Sequence, residues 1–501
     1  MRQTVGALPK SGLLKTAYAV FVLGAATAIA VPAQTYSILH TFDGTDGAFP
    51  QAGLVQATDG DLYGATHSGG ANNAGAVFEI TPAGTLTTLH SFCPKKGCKD
   101  GEWPIAALVQ ATNGDLYGTS QLGGAKGDGG IFKITPAGKF TTVYGFCSLG
   151  PNCADGDDPW AGLVEATNGD LYGTTYYGGT GCFPDGCGTI FKITANGKLA
   201  TLYSFQGADG ANPSAGLVED TNGDFYGTTL YGGANAGGTV FKITPGGKLT
   251  TLYSYCSQSG CADGEFPEAG LLQATNGDFY GTTSAGGANG VGLCANLPCP
   301  YGTVFRITPG GSLKTLYSFC SQSNCADGEN PYGALIQATD GTLYGTTLAG
   351  GVNGVAYGGY GTIFEITPGG GFTMLYSFCS QSGCADGYKP YAGLIQDTNG
   401  DFYGTAFSGG ANSGTVFSLS VGLGPFVEPQ TTSGKVGAPV NILGTNLTGA
   451  TSVTFNGTPA VFTVVSSSEI TTTVPTGATT GAVEVVTPGG TLSSNVPFRV
   501  P

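Results

Sequence analysis

Short runs in which apolar and polar residues alternate, each bounded by Gly, Asn, Asp or Pro, fill this chain from about residue 35 to its end. A period of two, carried by Val, Ile, Thr, Tyr and Phe, marks half-buried β-strands. No 3.6-residue apolar stripe of useful length interrupts it. In one stretch the pattern predicts strands from Ala215 to Asp220, Asp224 to Thr229, Gly238 to Thr244 and Lys248 to Tyr255. Asn222-Gly223, between the first two, matches a two-residue type I′ hairpin loop with positive φ at both positions. Pro245-Gly246-Gly247 closes the second hairpin.

The four-strand set repeats. D-G-x-x-P, a strand, T-[DN]-G-x-[LF]-Y-G, a Gly-Gly pair and [VI]-F-x-[IL]-[TS] recur with prolines at 50, 104, 159, 213, 267, 331 and 390. The tyrosines at 63, 117, 172, 226, 280, 344 and 403 step by the same intervals, so the period is about 54 residues, with insertions in two units. Four antiparallel strands per unit of this length is the pattern of a propeller blade. The seventh unit ends after its third strand, Thr415 to Ser420, and the missing fourth strand stands at the other end of the chain as Tyr36 to Phe42. The expected fold is therefore all-β: a seven-bladed β-propeller whose last blade is closed by the N-terminal strand, followed by a small Ig-like β-sandwich. An open solenoid gives no reason for splitting a unit between the two ends.

If each blade runs a, b, c, d, the a–b and c–d turns share one face of the ring and the b–c and d–a loops share the other. The first face is plain. The second carries the insertions and nearly all of the cysteines. The 14 cysteines fall into local couples: Cys93 with Cys98, Cys147 with Cys153, Cys182 with Cys187, Cys256 with Cys261, Cys294 with Cys299, Cys320 with Cys325, and Cys379 with Cys384. Each couple is expected to staple its own loop in an oxidising compartment. A metal reading is the rival, but these couples carry no histidine and are scattered round a ring in a protein expected to be exported.

Composition changes this picture at the ends of the chain. Arg2, Lys10 and Lys15 precede an apolar run from Thr16 to Ala30 and the small residues Val31-Pro32-Ala33, so residues 1–33 are expected to be a signal peptide. That makes residues 34–421 the propeller, in a protein expected to be exported to the periplasm, the cell surface or the medium, with no membrane span after signal cleavage. The chain ends in Arg499-Val500-Pro501 without a sorting tail, so a free exported protein is expected. Residues 425–501 lose Tyr and Cys, gain Thr, Val and Ser, and alternate over about seven short strands, which suits a sandwich. A net charge of −15 repels phosphate backbones and anionic lipid, so no nucleic-acid partner is expected.

Through G-[DT]-[LF]-Y-G-[AT]-[TS] and G-[TA]-[VI]-F-x-[IL]-T-P, residues 36–420 resemble the GloVer-type tandem repeats of exported bacterial proteins. The tail, from VGAPVNILGTNLTG to EVVTPGG, resembles the IPT/TIG immunoglobulin-like module. The repeat resemblance implies no particular activity. The module implies an adhesive or spacer role.

Chemistry is sparse. There is no H-E-x-x-H, G-x-S-x-G or Walker pattern, and the recurrent Gly-Gly pairs follow strands without opening helices. His40 and His90 occupy strand-d positions where other units have tyrosine. The aspartates of D-G-x-x-P (46, 100, 155, 209, 263, 327 and 386) read first as turn residues. A second reading has them bind Ca²⁺ with Glu102, Asp157, Asp158, Glu265 and Glu329; otherwise no cofactor is expected. Aromatic residues crowd the prolines: Phe49, Trp103, Trp160, Phe266, Tyr332, Tyr388 and Tyr391. Beside Glu102, Asp157 and Asp158, the set Trp103, Trp160, Phe266, Tyr332 and Tyr391 suits a sugar or another partly apolar ligand, or else plugs the ring as core. The expected function is non-catalytic binding or adhesion, with a carbohydrate or protein partner on the decorated face. The alternatives are a polysaccharide hydrolase or lyase, and a structural surface component.

Overall fold

A computed structural model describes residues 34–150, 152–290, 301–354 and 358–501. The expected signal peptide lies outside the described residues, as does the expected bridge between Cys294 and Cys299. Seven four-stranded antiparallel sheets follow one another, each built from consecutive strands except the last. In that sheet Thr35–Thr41 pairs with Thr415–Ser420, from Thr35↔Ser420 to Thr41↔Thr415, with a register shift between Ile38 and His40. The N-terminal strand thus supplies the missing outer strand, as the repeat arithmetic predicts, and leaves the last blade without an unpaired third strand.

Side chains join each blade to the next. The threonine of the Y-G-T triplet donates its hydroxyl to a carbonyl at the start of the following innermost strand: Thr119 to Ala161, Thr174 to Ala215, Thr228 to Ala269, Thr346 to Ala392. The circle closes with Thr405 donating to Ala52 across the seam (3.0 Å) and with Gln56 accepting from Thr398 N (3.0 Å). These bonds explain why the innermost strand pairs over only two residues, Val218–Glu219, where alternation predicts 215–220. Its first residues face the neighbouring blade instead of their own sheet. Between blades the repeat tyrosines are buried, and Tyr172 stacks on Phe225 as Tyr226 does on Phe279, both at 4.1 Å.

The a–b turn differs from the expected type I′ loop. Gly223 alone has positive φ (82°), while Asp220 N bonds to Asp224 O and Gly223 N to Asp220 O. This is the longer hairpin loop with glycine in the left-handed position. The Asp220 carboxylate accepts from Asn222 N and Asp224 N and so holds Asn222 right-handed.

Residues from 427 onward form two further four-stranded sheets around Val427, Ile442, Phe455, Ile470, Val483 and Phe498, the expected sandwich core. The module docks on the plain face. Ser468 Oγ donates to Thr58 O (2.9 Å), Gln430 to Gln110 (2.8 Å), and Thr445 shares a hydroxyl bond with Thr398 (2.9 Å). It also borders blades four and five, where Thr480, Val496, Pro497 and Arg499 share a cavity with Thr221 and Gln273. The decorated face is therefore the one the module does not contact.

Among the described residues six cysteine couples are bridged, each within its own loop. Cys93 joins Cys98, Cys147 joins Cys153, Cys182 joins Cys187, Cys256 joins Cys261, Cys320 joins Cys325 and Cys379 joins Cys384. No free cysteine occurs among the described residues. The Cys182 bridge sits in a b–c loop, and its partner Cys187 is buried at 3% exposure, so this staple also packs against the blade. Five-residue and six-residue separations close small loops, worth about 2 kcal/mol each in the chain-entropy account. Non-reducing peptide mapping should recover these six links and none between blades. Reduction should raise hydrogen exchange in the d–a loops at a denaturant concentration where the strands stay protected; simultaneous loss of both would contradict the separation of loop staples from the ring core.

Candidate functional site

The decorated face is organised by one recurring device. In every blade the residue after D-G pairs through its backbone with the b–c loop, as in Glu102↔Leu122, Asp157↔Tyr177, Ala211↔Tyr231 and Glu265↔Ala285. The next residue is left-handed in all seven blades (Phe49, Trp103, Asp158, Asn212, Phe266, Asn330 and Lys389, φ 54–59°), and its amide reaches the preceding blade, as when Trp103 N donates to Ala74 O. The D-G aspartates serve this scaffold. Tyr144 donates to Asp155, Tyr253 to Asp263 and Tyr376 to Asp386, with loop amides on the same carboxylates. His40 and His90 make the equivalent contacts to Asp46 and Asp100 at 2.7 and 2.9 Å. Asp155, Asp263, Asp327 and Asp386 have no exposed surface, which is the structural reading of the motif.

Around this scaffold the aromatic residues separate into two registers. Phe49, Trp103 and Phe266 precede the proline in the left-handed position, whereas Trp160, Tyr332 and Tyr391 follow it, so the two tryptophans are not equivalent. Trp103 stacks on His67 of the preceding blade (5.2 Å). Trp160 stacks on Tyr176 of its own blade (4.3 Å), Tyr176 meets Tyr177 edge-on (4.7 Å), and Tyr231 meets Phe266 (5.2 Å). Further round, Tyr332 contacts Tyr391, Tyr391 contacts Phe407, and Phe407 stacks on Phe49. Trp103, Trp160, Phe266, Tyr332 and Tyr391 are all half-buried. Tyr177 and Tyr231 are 37% and 42% exposed. They lie in b–c loops, and the proline-centred sequence pattern misses them.

Carboxylates interleave with these rings. Glu268, also missed, follows Pro267 and accepts from Ser284 Oγ (2.9 Å), with the Tyr332 side chain beside it. Burial pushes its carboxyl up to about 7. Its charge acts on Tyr176, Tyr332 and Tyr391, which places these residues around one centre. Its register beside Trp160 and Tyr332, one residue after the proline, was the signal available in sequence. Burial together with Asp128, Asp158 and Asp185 pushes Asp157 up to about 6. Asp158 is 8% exposed, and burial also raises its carboxyl, opposed by the nearby donors Trp160 and Gln121. Neither donor closes a bond on Oδ1: Asp158 Oδ1 and Trp160 Nε1 are both buried without a hydrogen-bond partner. Glu102 lies beside the Cys93–Cys98 bridge, as Glu265 does beside Cys256–Cys261. The sulfurs in those groups are bonded to each other and offer no thiolate to a metal.

A ring of four-stranded antiparallel sheets with an Ig-like module on one face and an aromatic, acidic mouth on the other defines a propeller-type repeat protein. The chain belongs to the Gloeobacter/Verrucomicrobia repeat family, whose model matches residues 21–154, 148–295, 181–417 and 263–459; an IPT/TIG domain matches residues 426–500. No curated protein matches the chain by sequence. Solved structures similar to it include a putative 6-phosphogluconolactonase from Bacteroides fragilis (15% identity, TM-score 0.42, covering 68% of this chain and 86% of that one). Another, from Bacteroides uniformis, is 15% identical with a TM-score of 0.43 over 69% and 89% of the two chains. A puromycin hydrolase is 11% identical with a TM-score of 0.49 over 80% and 59%. At such identities no activity passes from them to this chain. Among the described residues no helix is long and apolar enough to cross a membrane.

Proposed function

We propose that this is an exported, non-catalytic binding protein that takes a carbohydrate on the decorated mouth, at the Trp160, Tyr176, Tyr177 and Tyr231 surface. The observation that carries this reading is the pair of exposed tyrosines, Tyr177 and Tyr231, set beside the Trp160–Tyr176 stack and the carboxylates of Asp157 and Glu268. Exposed tyrosine faces beside carboxylates supply the apolar platform and the acceptors that a sugar ring requires. Trp103, Phe266, Tyr332, Tyr391, Glu102 and Asp157 belong to the wider rim of the same face. Six local disulfides suit an oxidising compartment.

A glycan array with the intact protein identifies the ligand. Trp160→Ala and Tyr231→Ala should then weaken binding at least tenfold, about 1.4 kcal/mol, with little change in melting for Tyr231→Ala. If Trp160→Ala instead lowers stability by about 3–5 kcal/mol, the cost of a buried Trp, and both variants still bind, the residues are a plug and the proposal fails.

One observation favours hydrolysis as the second reading: Glu268 is a carboxyl raised to about 7 in an aromatic setting, as a general acid requires. A reducing-end assay on the bound polysaccharide separates the two. Cleavage abolished by Glu268→Gln would establish the enzyme; binding without cleavage establishes the binding protein.

A further inference from the structure

Four acids at the decorated mouth have no base paired with them. The ion pairs among the described residues fall on Asp46, Asp100, Asp115, Asp170, Asp224 and Asp278, and none falls on Asp128, Asp157, Asp158 or Asp185. Lys126, two residues from Asp128 in sequence, is exposed and joins none of these pairs.

Backbone bonds gather the four acids from three loops. Asp158 N donates to Asp128 O in the b–c loop of blade two (3.2 Å), Asp157 and Tyr177 exchange both backbone bonds (3.1 and 3.0 Å), and Gly178 N donates to Asp185 O (2.8 Å). The acids that act on Asp157 are Asp128, Asp158 and Asp185, and those that act on Tyr177 are Asp158, Asp185 and Asp157. In a chain of net charge −15 no residue of the mouth offsets this surplus, so a bound cation would be favoured there.

A single metal ion does not fit the spacing. Oxygens that share one calcium at about 2.3–2.6 Å must lie within about 5 Å of one another. Among the described residues no three of these carboxylates bring oxygens within 4.8 Å of each other, and the groups that close to Asp128 are the bonded sulfurs of Cys147 and Cys153. Carboxylates spread over three loops match instead a ligand whose positive charges are spread along a chain. Beside them stand Tyr177 and Tyr231, 37% and 42% exposed, with Tyr176 edge-on to Tyr177 at 4.7 Å and Tyr231 against Phe266 at 5.2 Å. A tyrosine face attracts an ammonium group as well as the apolar face of a sugar. The same surface disfavours a uronate or sulfated chain, whose anions would meet like charge.

We infer that the carbohydrate taken at this mouth is cationic: an oligosaccharide of sugars with free amino groups, its ammonium groups among Asp128, Asp157 and Asp185 and its rings on Tyr177 and Tyr231. The inference rests on the binding reading above and adds to it the charge of the ligand. A stiff sugar ring matches a flat aromatic surface at less conformational cost than a flexible basic peptide, which favours the sugar.

The test titrates the intact protein by calorimetry, at neutral pH and low salt, with oligomers of glucosamine and of N-acetylglucosamine of equal length. The glucosamine oligomer should bind about tenfold more tightly or better, and its affinity should fall as NaCl is raised, because exposed charge pairs are screened. Asp157→Asn should remove most of that preference without lowering Tm, since it deletes one of several mutually repelling charges. Glu484→Gln, which removes an exposed acid from the Ig-like module, should leave both affinities unchanged. Equal affinity for the two oligomers, or a preference for the acetylated one, overturns the inference and leaves a carbohydrate-binding protein. A lysine oligomer that binds as tightly as the glucosamine oligomer overturns it in favour of a basic peptide. A preference that survives Asp157→Asn, or that Glu484→Gln reduces equally, overturns the site. No binding to any carbohydrate overturns the binding reading itself and this inference with it. If Asp157→Asn fails to fold, Asp185→Asn, in an exposed loop position, is read by the same criteria.

Discussion

Deleting Thr35–Phe42 should convert a monodisperse protein into soluble oligomers or precipitate. Strand Thr415–Ser420 would then be an exposed edge of alternating residues, and Phe417, fully buried, would lose its cover. The lost contacts are specific. Tyr36 stacks on Tyr376 at 4.0 Å and donates its hydroxyl to Asp386 O at 2.6 Å, linking the closing strand to blade six. Phe42 is completely buried against Phe78 of blade one, and its removal alone is worth about 3–5 kcal/mol. Light scattering and melting check the outcome, with Phe42→Ala as the graded variant: a large drop in Tm without aggregation. Deleting residues 425–501 should leave a folded ring, because that module has its own core and meets the ring mainly through polar contacts. Unchanged solubility for the N-terminal deletion would contradict the closure of the ring by that strand.

Stability should fall as pH rises from about 5 to 8. Glu268 is raised to about 7 and Asp157 to about 6, in both cases with burial as the first cause. An acid whose folded pKa lies above its unfolded value binds more protons when folded. Its ionised form is therefore penalised in the native state, fully above the folded pKa and not at all below the unfolded one. Each tenfold change in an acidity constant corresponds to about 1.4 kcal/mol, and after a discount for partial solvent access the two groups together should contribute about 2–4 kcal/mol across the window. Glu268 is faced by Ser284, Tyr332, Tyr391 and Tyr176, and Asp157 by Asp128, Asp158 and Asp185, so no neighbouring base offsets the effect. Chemical denaturation at pH values spaced from about 5 to 8, in EDTA, should show the decline, and Glu268→Gln should flatten its upper part. A profile rising over that range would contradict these environments.

The ring was legible in the chain because each of its constraints is local or periodic. Strand alternation reports which face is buried, and the spacing of Pro50 to Pro390 and of Tyr63 to Tyr403 reports one blade after another. The division of a unit between Tyr36–Phe42 and Thr415–Ser420 reports closure, because an unpaired edge is unfavourable wherever it lies. Cysteine couples five and six residues apart, such as Cys320 with Cys325 and Cys147 with Cys153, can meet without any knowledge of the fold.

Position in the site was not local. Trp103 and Trp160 look alike beside their prolines, but the first precedes its proline and turns to His67 of the preceding blade, whereas the second follows its proline and turns to Tyr176 of its own. Glu268 looks like any charged strand residue until Ser284 and Tyr332 converge on it from other segments. The turn at Asn222-Gly223 differed from expectation because the Asp220 side chain competes for its backbone amides. The face on which the Ig-like module rests depends on contacts between residues hundreds of positions apart, such as Thr58 with Ser468. Periodicity repeats the same information in every blade, whereas a binding site arises where blades differ, and those differences acquire meaning only when the closed ring brings them together.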